Sequence, residues 1–307
     1  MKILFAGTPA IAVEVLDALV SSGHEIVGVL TREQAPVGRK KLLTASAVSQ
    51  RGLELGLPVI EANTISTGVR SLITSLGADL AVVVAYGVIL DKATLDSIPR
   101  GWFNLHFSIL PSWRGAAPVQ RAIAAGDTET GVTLFRLDEG MDTGPIVGIA
   151  PAIIHPNESA DDLLARLAKV GISLLNAELP SIYADTVKLN EQRGNPSFAK
   201  KVSRADAKLD FSLSARTLAN VTRAMNSEPM AWCELGADSL RIIHAHEYLG
   251  RAEYSNMLGE VFKIDGRILV NCGDSSLLEL LTVQPSSKNA MTAMEWFNGK
   301  SGQVVLT

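Results

Sequence analysis

Cysteine is nearly missing from this chain: Cys233 and Cys272 are the only two among 307 residues, far apart and in no CxxC spacing. That excludes a disulfide framework and a zinc knuckle and suits two reduced thiols. Long apolar runs are lacking as well. The longest, LAVVVAYGVIL from Leu80 to Leu90, has 11 residues, well short of the roughly 20 that cross a bilayer as a helix, and it reads as a buried strand. The opening MKILFAGTP passes directly into a strand-like run and a glycine turn, with no apolar segment leading to a cleavage site, so a cytoplasmic protein is expected. FAGTP has neither G-x-G-x-x-G nor GK[ST], which disfavours nucleotide binding. A net charge of −4 gives no global pull on phosphates, so any nucleic-acid binding must come from local basic patches.

What is present is ordinary globular material, 47% hydrophobic and 20% charged. The length exceeds the ~100–200 residues usual for one domain, so two are expected. In the first half strand-like runs (KILFA, EIVGVL, PVIEA, DLAVVVA) alternate with helical patterns. That alternation implies βαβ units and an open, doubly wound, mainly parallel Rossmann-like sheet, an α/β class. Ligands of such sheets sit beyond the carboxyl ends of the strands, which puts Gly7, Ala85 to Val88 and Asn104 to Ser108 on one rim. Residues 159–184 continue at helical spacing with Ser159 as cap and close a domain spanning 1–186. Residues 187–205 lose the periodicity and collect Gly, Asn, Pro and Lys, as a basic linker does. Short strand-like runs after it (AWCEL, LRIIHAHEYL, GEVFKI, RILVNC, LLELLTVQP) fit a small OB-like β-barrel over 206–307, with a small sandwich as the alternative.

Asn104 and His106 stand two apart at the end of WFNLHF, so a strand presents both on one face. They can grip one carbonyl, or merely satisfy neighbouring backbone groups. RLDEGMDTGP, residues 136–145, places Asp142 in a tight loop where its carboxylate can orient the imidazole and raise its pKa. Asn, His and Asp then make an acyl-transfer set with no Ser or Cys nucleophile. Arg114 can contact a phosphate or pin its own loop. Arg39, Lys40 and Lys41 form a basic cluster in TREQAPVGRKKLL, and Lys200, Lys201 and Arg204 make the linker positive. His244 and His246 share a strand face without a third ligand, so no metal site is expected.

FAGTP at 5–9, VVAYGVIL at 83–90, NLHFSILPSWRGAAPVQRA at 104–122 and DEGMDTGP at 138–145 resemble the methionyl-tRNA formyltransferase family. KVSRADAKLDFSLSA at 201–215 and SEPMAW at 227–232 resemble the start of that family's C-terminal domain. The N-terminal motifs are shared with other 10-formyltetrahydrofolate-using transformylases, so they speak more of the donor than of the acceptor. The resemblance implies the formyltransferase fold, Asn104, His106 and Asp142 as catalytic residues, and a folate site formed by Ser108, Ile109, Leu110 and Pro111 with Val84, Ala85, Tyr86, Gly87 and Val88. It implies contacts to tRNA from Arg39, Lys40, Lys41 and Arg114, to which the linker Lys200, Lys201 and Arg204 are added for their charge. Protonated His106 is expected to help bind the developing oxyanion. The pattern departs at GRKK, which lacks the usual Gly after Arg39, and at Phe107, where Gly or Pro is common.

The implied activity is transfer of the formyl group of 10-formyltetrahydrofolate to methionine on initiator tRNA, without a metal or membrane, and nothing requires more than a monomer. The competing readings are formyl transfer to an amino-sugar nucleotide, a 10-formyltetrahydrofolate hydrolase, and a non-catalytic nucleic-acid-binding module. The complete Asn104, His106 and Asp142 set argues against the last.

Overall fold

The computed structural model describes residues 1–38, 41–250 and 257–307. The chain begins β1 (Lys2–Gly7), α1 (Ala10–Ser21), β2 (Glu25–Thr31), β3 (Ala35–Val37), β4 (Leu42–Thr44), α2 (Ala47–Glu54), β5 (Val59–Glu61), α3 (Thr67–Ser75) and β6 (Leu80–Val84). It continues through α4 (Lys92–Leu95), β7 (Trp102–His106), β8 (Arg114–Gly115), α5 (Pro118–Ala125), β9 (Glu129–Arg136), β10 (Ile146–Ile153), α6 (Ala160–Tyr183) and β11 (Phe198–Ala199). Then come α7 (Ala215–Ala224), β12 (Trp232–Leu235), β13 (Asp238–Tyr248), β14 (Glu260–Ile264), β15 (Arg267–Cys272), β16 (Ser276–Pro285), β17 (Met291–Thr292), α8 (Ala293–Asn298) and β18 (Val304–Val305). Two compact units result: Met1–Pro118, Glu129–Ile153 and Leu164–Lys200 form one, and Val119–Thr128, Ile154–Leu163 and Lys201–Thr307 the other. Among the described residues no helix is long and apolar enough to cross a membrane.

The first unit holds a seven-stranded sheet in the order β10-β9-β7-β6-β1-β2-β5. The five strands from β7 to β5 are mutually parallel, and β9 and β10 join antiparallel at one side. Every residue of β6 is buried, as expected of a parallel strand covered on both faces. The chain runs from β1 outward through β2 to β5 and returns to β6 on the other side of β1. Strand order therefore reverses between β1 and β6, and the crevice beyond their carboxyl ends is where ligands of such sheets bind. Local signals fix the helices around it. Ser46 caps α2 by accepting from Ser49 N at 2.9 Å, and Ser66 caps α3 from Val69 N, caps worth about 1 kcal/mol each.

The segment expected as a linker is anchored to this unit over 190–199. Asn190 exchanges backbone bonds with Ile146 at 2.7 and 2.9 Å, and β11 pairs in parallel with β8. Ser197 Oγ also accepts from Trp113 N at 2.8 Å. Loss of periodicity marked irregular structure here, not freedom, because the Asn190 main chain pairs with Ile146 and the Gln192 and Ser197 side chains satisfy backbone groups of neighbouring loops. The basic loop after β2 likewise contains an antiparallel pair, β3 with β4, both exposed.

In the second unit the strands follow the order β12-β13-β16-β15-β14-β18, with β17 beside β16. Glu234 of β12 and Thr307, two residues beyond β18, exchange backbone bonds at 2.6 and 3.1 Å. That exchange brings the sheet round on itself into a nearly closed antiparallel barrel, which removes its free edges. The Thr292 and Glu295 capping box starts α8.

Candidate active site

β7 delivers Asn104 and His106 to the carboxyl rim of the first sheet, two residues apart and on one face. His106 is only 5% exposed, with its ring edge-on to Phe135 at 6.4 Å. Its Nε2 lies 2.9 Å from the Trp113 carbonyl. A carbonyl only accepts, so Nε2 carries the hydrogen. Nδ1 turns toward Asp142 Oδ2, 3.7 Å away. Burial pushes the imidazole below its usual pKa, against the opposing pull of the Asp142 carboxylate and the Trp113 carbonyl. The ring is therefore neutral at pH 7, with an open lone pair on Nδ1. Burial thus opposes the protonation expected of His106, while the Asp142 carboxylate favours it.

Asp142 is held by a loop of several devices. Asp138 Oδ1 accepts from Gly140 N at 3.0 Å and from Thr143 Oγ1 at 2.7 Å, closing the turn. Asp142 itself adopts φ 53°, an uncommon conformation for a residue with a side chain. Its Oδ2 accepts from Gly115 N at 2.7 Å. From the other side Gln192 Nε2 donates to the Asp142 carbonyl at 2.8 Å and to the Gly144 carbonyl at 2.9 Å. Gln192 Oε1 in turn accepts from Arg114 Nε and Nη2 at 3.1 and 2.6 Å. The Arg114 guanidinium thus faces the Gln192 side chain of a distant segment.

Asn104, His106 and Asp142 all line a cavity of about 320 Å³ beyond the carboxyl ends of β6 and β7. Asn104 Oδ1 is buried and has no hydrogen-bond partner among the described residues. Such an orphan costs about 1–3 kcal/mol, which a ligand donor would relieve. Ala85, Tyr86, Gly87 and Val88 line the same cavity, in a turn shaped by φ 49° at Ala85 and 81° at Gly87. Tyr86 anchors it: its hydroxyl donates to the Ala62 carbonyl at 2.9 Å, and burial pushes its pKa up to about 12.

The remaining residues expected at the folate do not line this cavity. Val84 is fully buried at the end of β6, and Val83 reaches the cavity instead. Ser108, Ile109, Leu110 and Pro111 are not among its lining residues. Ser108 is fully buried with its hydroxyl on the Ser112 carbonyl. Its own carbonyl accepts from Thr133 Oγ1, which accepts from Leu110 N. Leu110 packs with Phe135 and Ile146 and borders a separate cleft. Phe107, Gly115 and Ala116 are in the cavity wall.

Residues 1–179 match the formyl transferase family, and residues 201–301 match the formyl transferase C-terminal domain. A methionyl-tRNA formyltransferase of Renibacterium salmoninarum is 42% identical over 97% of this chain and 96% of its own length. Another, from Leifsonia xyli subsp. xyli, is 42% identical over the full length of both. The chain belongs to the formyl transferase family.

Solved structures agree on the fold of this formyl transferase. An N-formyltransferase from Helicobacter canadensis superposes with a TM-score of 0.68 at 19% identity, covering 93% of this chain and 99% of that one. A methionyl-tRNA formyltransferase from Clostridium thermocellum gives 0.58 at 15% identity, covering 82% and 95%.

Of the basic residues singled out for tRNA, the described ones, Lys41, Arg114, Lys200, Lys201 and Arg204, are outside the cavity lining. Arg39 and Lys40 lie outside the described residues, and Lys41 is exposed beside β4. Lys200 and Lys201 are exposed. The Arg204 guanidinium stacks 4.0 Å over the Trp232 ring, whose Nε1 donates to the Arg204 carbonyl at 2.8 Å. Within the formyl transferase site, sequence reasoning missed Gln192 and Trp113. Both act through backbone groups, and only the polar residues inside an aperiodic stretch hinted at Gln192.

Proposed function

We propose that this formyl transferase moves the formyl group of 10-formyltetrahydrofolate to the α-amino group of methionine on initiator methionyl-tRNA, in the cytoplasm and as a monomer. The observation that carries the reading is one cavity faced by the unpartnered Asn104 Oδ1, the open Nδ1 of His106 and the Asp142 carboxylate. The name borne by relatives at 42% identity supports the acceptor. Val88, Leu90 and Phe107 give the cavity an apolar wall suited to a flat heterocycle.

The bound folate supplies the formyl carbon. Asn104 acts at that carbon: its amide NH₂ donates to the oxygen that gains charge as the amine attacks, and its Oδ1 accepts from the incoming amine. His106 Nδ1 takes the amine proton and passes it to the departing nitrogen of the folate. Asp142, opposite Nδ1, stabilises the imidazolium while it carries that proton. Catalysis is assigned to residues 1–186, and acceptor binding to the barrel of 206–307 with Arg39, Lys40, Lys41, Lys200, Lys201 and Arg204.

The test is formyl transfer to methionyl initiator tRNA beside methionyl elongator tRNA, uncharged tRNA and an amino-sugar nucleotide, with His106→Ala as control. Formylation confined to the methionyl initiator and lost in the variant supports the reading. Transfer to the sugar, or release of free formate alone, defeats it.

A further inference from the structure

We infer that Gln192 is a positioning residue for Asp142, which makes the segment 190–199 part of the catalytic apparatus. The inference rests on the proposed role of Asp142.

The orientation of the Gln192 amide is fixed by its partners. Arg114 has only donors and the Asp142 and Gly144 carbonyls only accept, so Oε1 must face the guanidinium and Nε2 the loop. Every hydrogen of the amide is then used. Asp142 needs an external restraint because φ 53° stores strain that the loop alone would release. It receives two. Gln192 holds its backbone carbonyl, and Gly115 N holds its carboxylate.

Both restraints lead to the two-residue strand β8, since Arg114 holds Gln192 and Gly115 is its neighbour. β11, which pairs with β8, lies on the same segment of chain as Gln192. Asp142 is thus clamped at main chain and side chain from one small platform. Without Gln192, two loop carbonyls and a guanidinium lose their partners together, and the carboxylate is held by one bond.

Gln192→Ala and Gln192→Glu in the full chain test this. Gln192→Glu keeps an acceptor for Arg114 but loses both donors to the loop, so it separates folding from positioning. Each is expected to lower kcat by about 10- to 100-fold, the scale of a small misplacement of a reacting group, with KM for both substrates changed by less than about 2-fold. In an Asp142→Asn background the same substitutions should cost less than about 2-fold, because residues acting through one another are not additive.

A readout independent of turnover is the NMR titration of His106. Asp142 is the charged group acting on that ring, beside the neutral Trp113 carbonyl and Phe135. Its carboxylate raises the imidazole pKa, so displacing it moves the midpoint down, in Gln192→Ala as in Asp142→Asn. An equal loss of kcat in both backgrounds, a change in KM alone, or an unmoved His106 midpoint would each overturn the inference. If the wild-type chain formylates no methionyl-tRNA, the proposed function fails, and the titration still decides whether Gln192 places Asp142.

Discussion

His106 meets two oxygens in different ways: Nε2 donates to the Trp113 carbonyl at 2.9 Å, while Nδ1 stands 3.7 Å from Asp142 Oδ2. The first contact fixes the tautomer, and the second leaves room for a proton to arrive. Because burial holds the folded-state pKa below 6.5, the transfer rate should be flat near pH 7 and fall only as pH drops through that lowered value. Stability follows the same sign. Between the lowered pKa and about 6.5 the unfolded chain binds more protons at this site than the folded one, so His106's contribution is full above about 6.5 and is lost as pH falls. Single-turnover rates from about pH 4.5 to 8 check the first statement. An acid limb centred at or above the free-histidine value would contradict the dominance of burial.

Asp142→Asn should keep the loop, since an amide oxygen can accept from Gly115 N as the carboxylate does. What it removes is the negative charge opposite Nδ1. The chemical step is expected to slow by ~100-fold or more, with the melting temperature little changed. Near wild-type turnover would take Asp142 out of the proton path.

Strand parity made Asn104 and His106 legible as a pair, because residues two apart on a strand share a face wherever that strand lies in the sheet. The alternation of apolar runs and helical patterns exposed the carboxyl rim for a similar reason, since βαβ units bring the carboxyl ends of all the parallel strands to one side. Ser108 to Pro111 lie outside the cavity lining because the path of a chain after it leaves a strand has no period, and Ser108 spends its polar groups on Ser112 and Thr133. Gln192 stayed hidden because it reaches Asp142 across 50 residues of chain and bonds to a backbone carbonyl, a partner that no side-chain pattern reveals. His106 shows a third limit. The sequence places a carboxylate near the imidazole but does not report how deeply the ring is buried, and burial opposes its charge.

Gly115 combines three demands that no other residue meets. Its φ is 125°, a side chain there would come within 2.7 Å of the Ala199 carbonyl, and its N–H holds Asp142. Gly115→Ala should therefore separate β11 from β8 and loosen the carboxylate. A kcat loss of at least ~10-fold is expected from that misplacement, accompanied by faster amide exchange across 197–199. Retention of full activity would mean that Asp142 is positioned without β8.

The basic residues should divide into two kinds by salt dependence. Lys200, Lys201 and Arg204 are exposed, and the Arg204 guanidinium carbon stands 4.0 Å over the Trp232 ring. Each phosphate neutralised contributes about 0.7–0.9 to the slope of log affinity against log salt. Replacing all three by Ala should therefore flatten that slope for methionyl-tRNA by about 2 to 3 and raise its KM, while kcat at saturation holds. Arg114 belongs to the other kind, because its guanidinium is committed to Gln192 at 2.6 and 3.1 Å. Arg114→Ala should lower kcat and leave the slope where it was, and a flattened slope in that variant would return Arg114 to the acceptor surface. A chain of net charge −4 can bind a polyanion only through such local concentrations of positive charge, so an unchanged slope in the triple variant would move the acceptor site to another face.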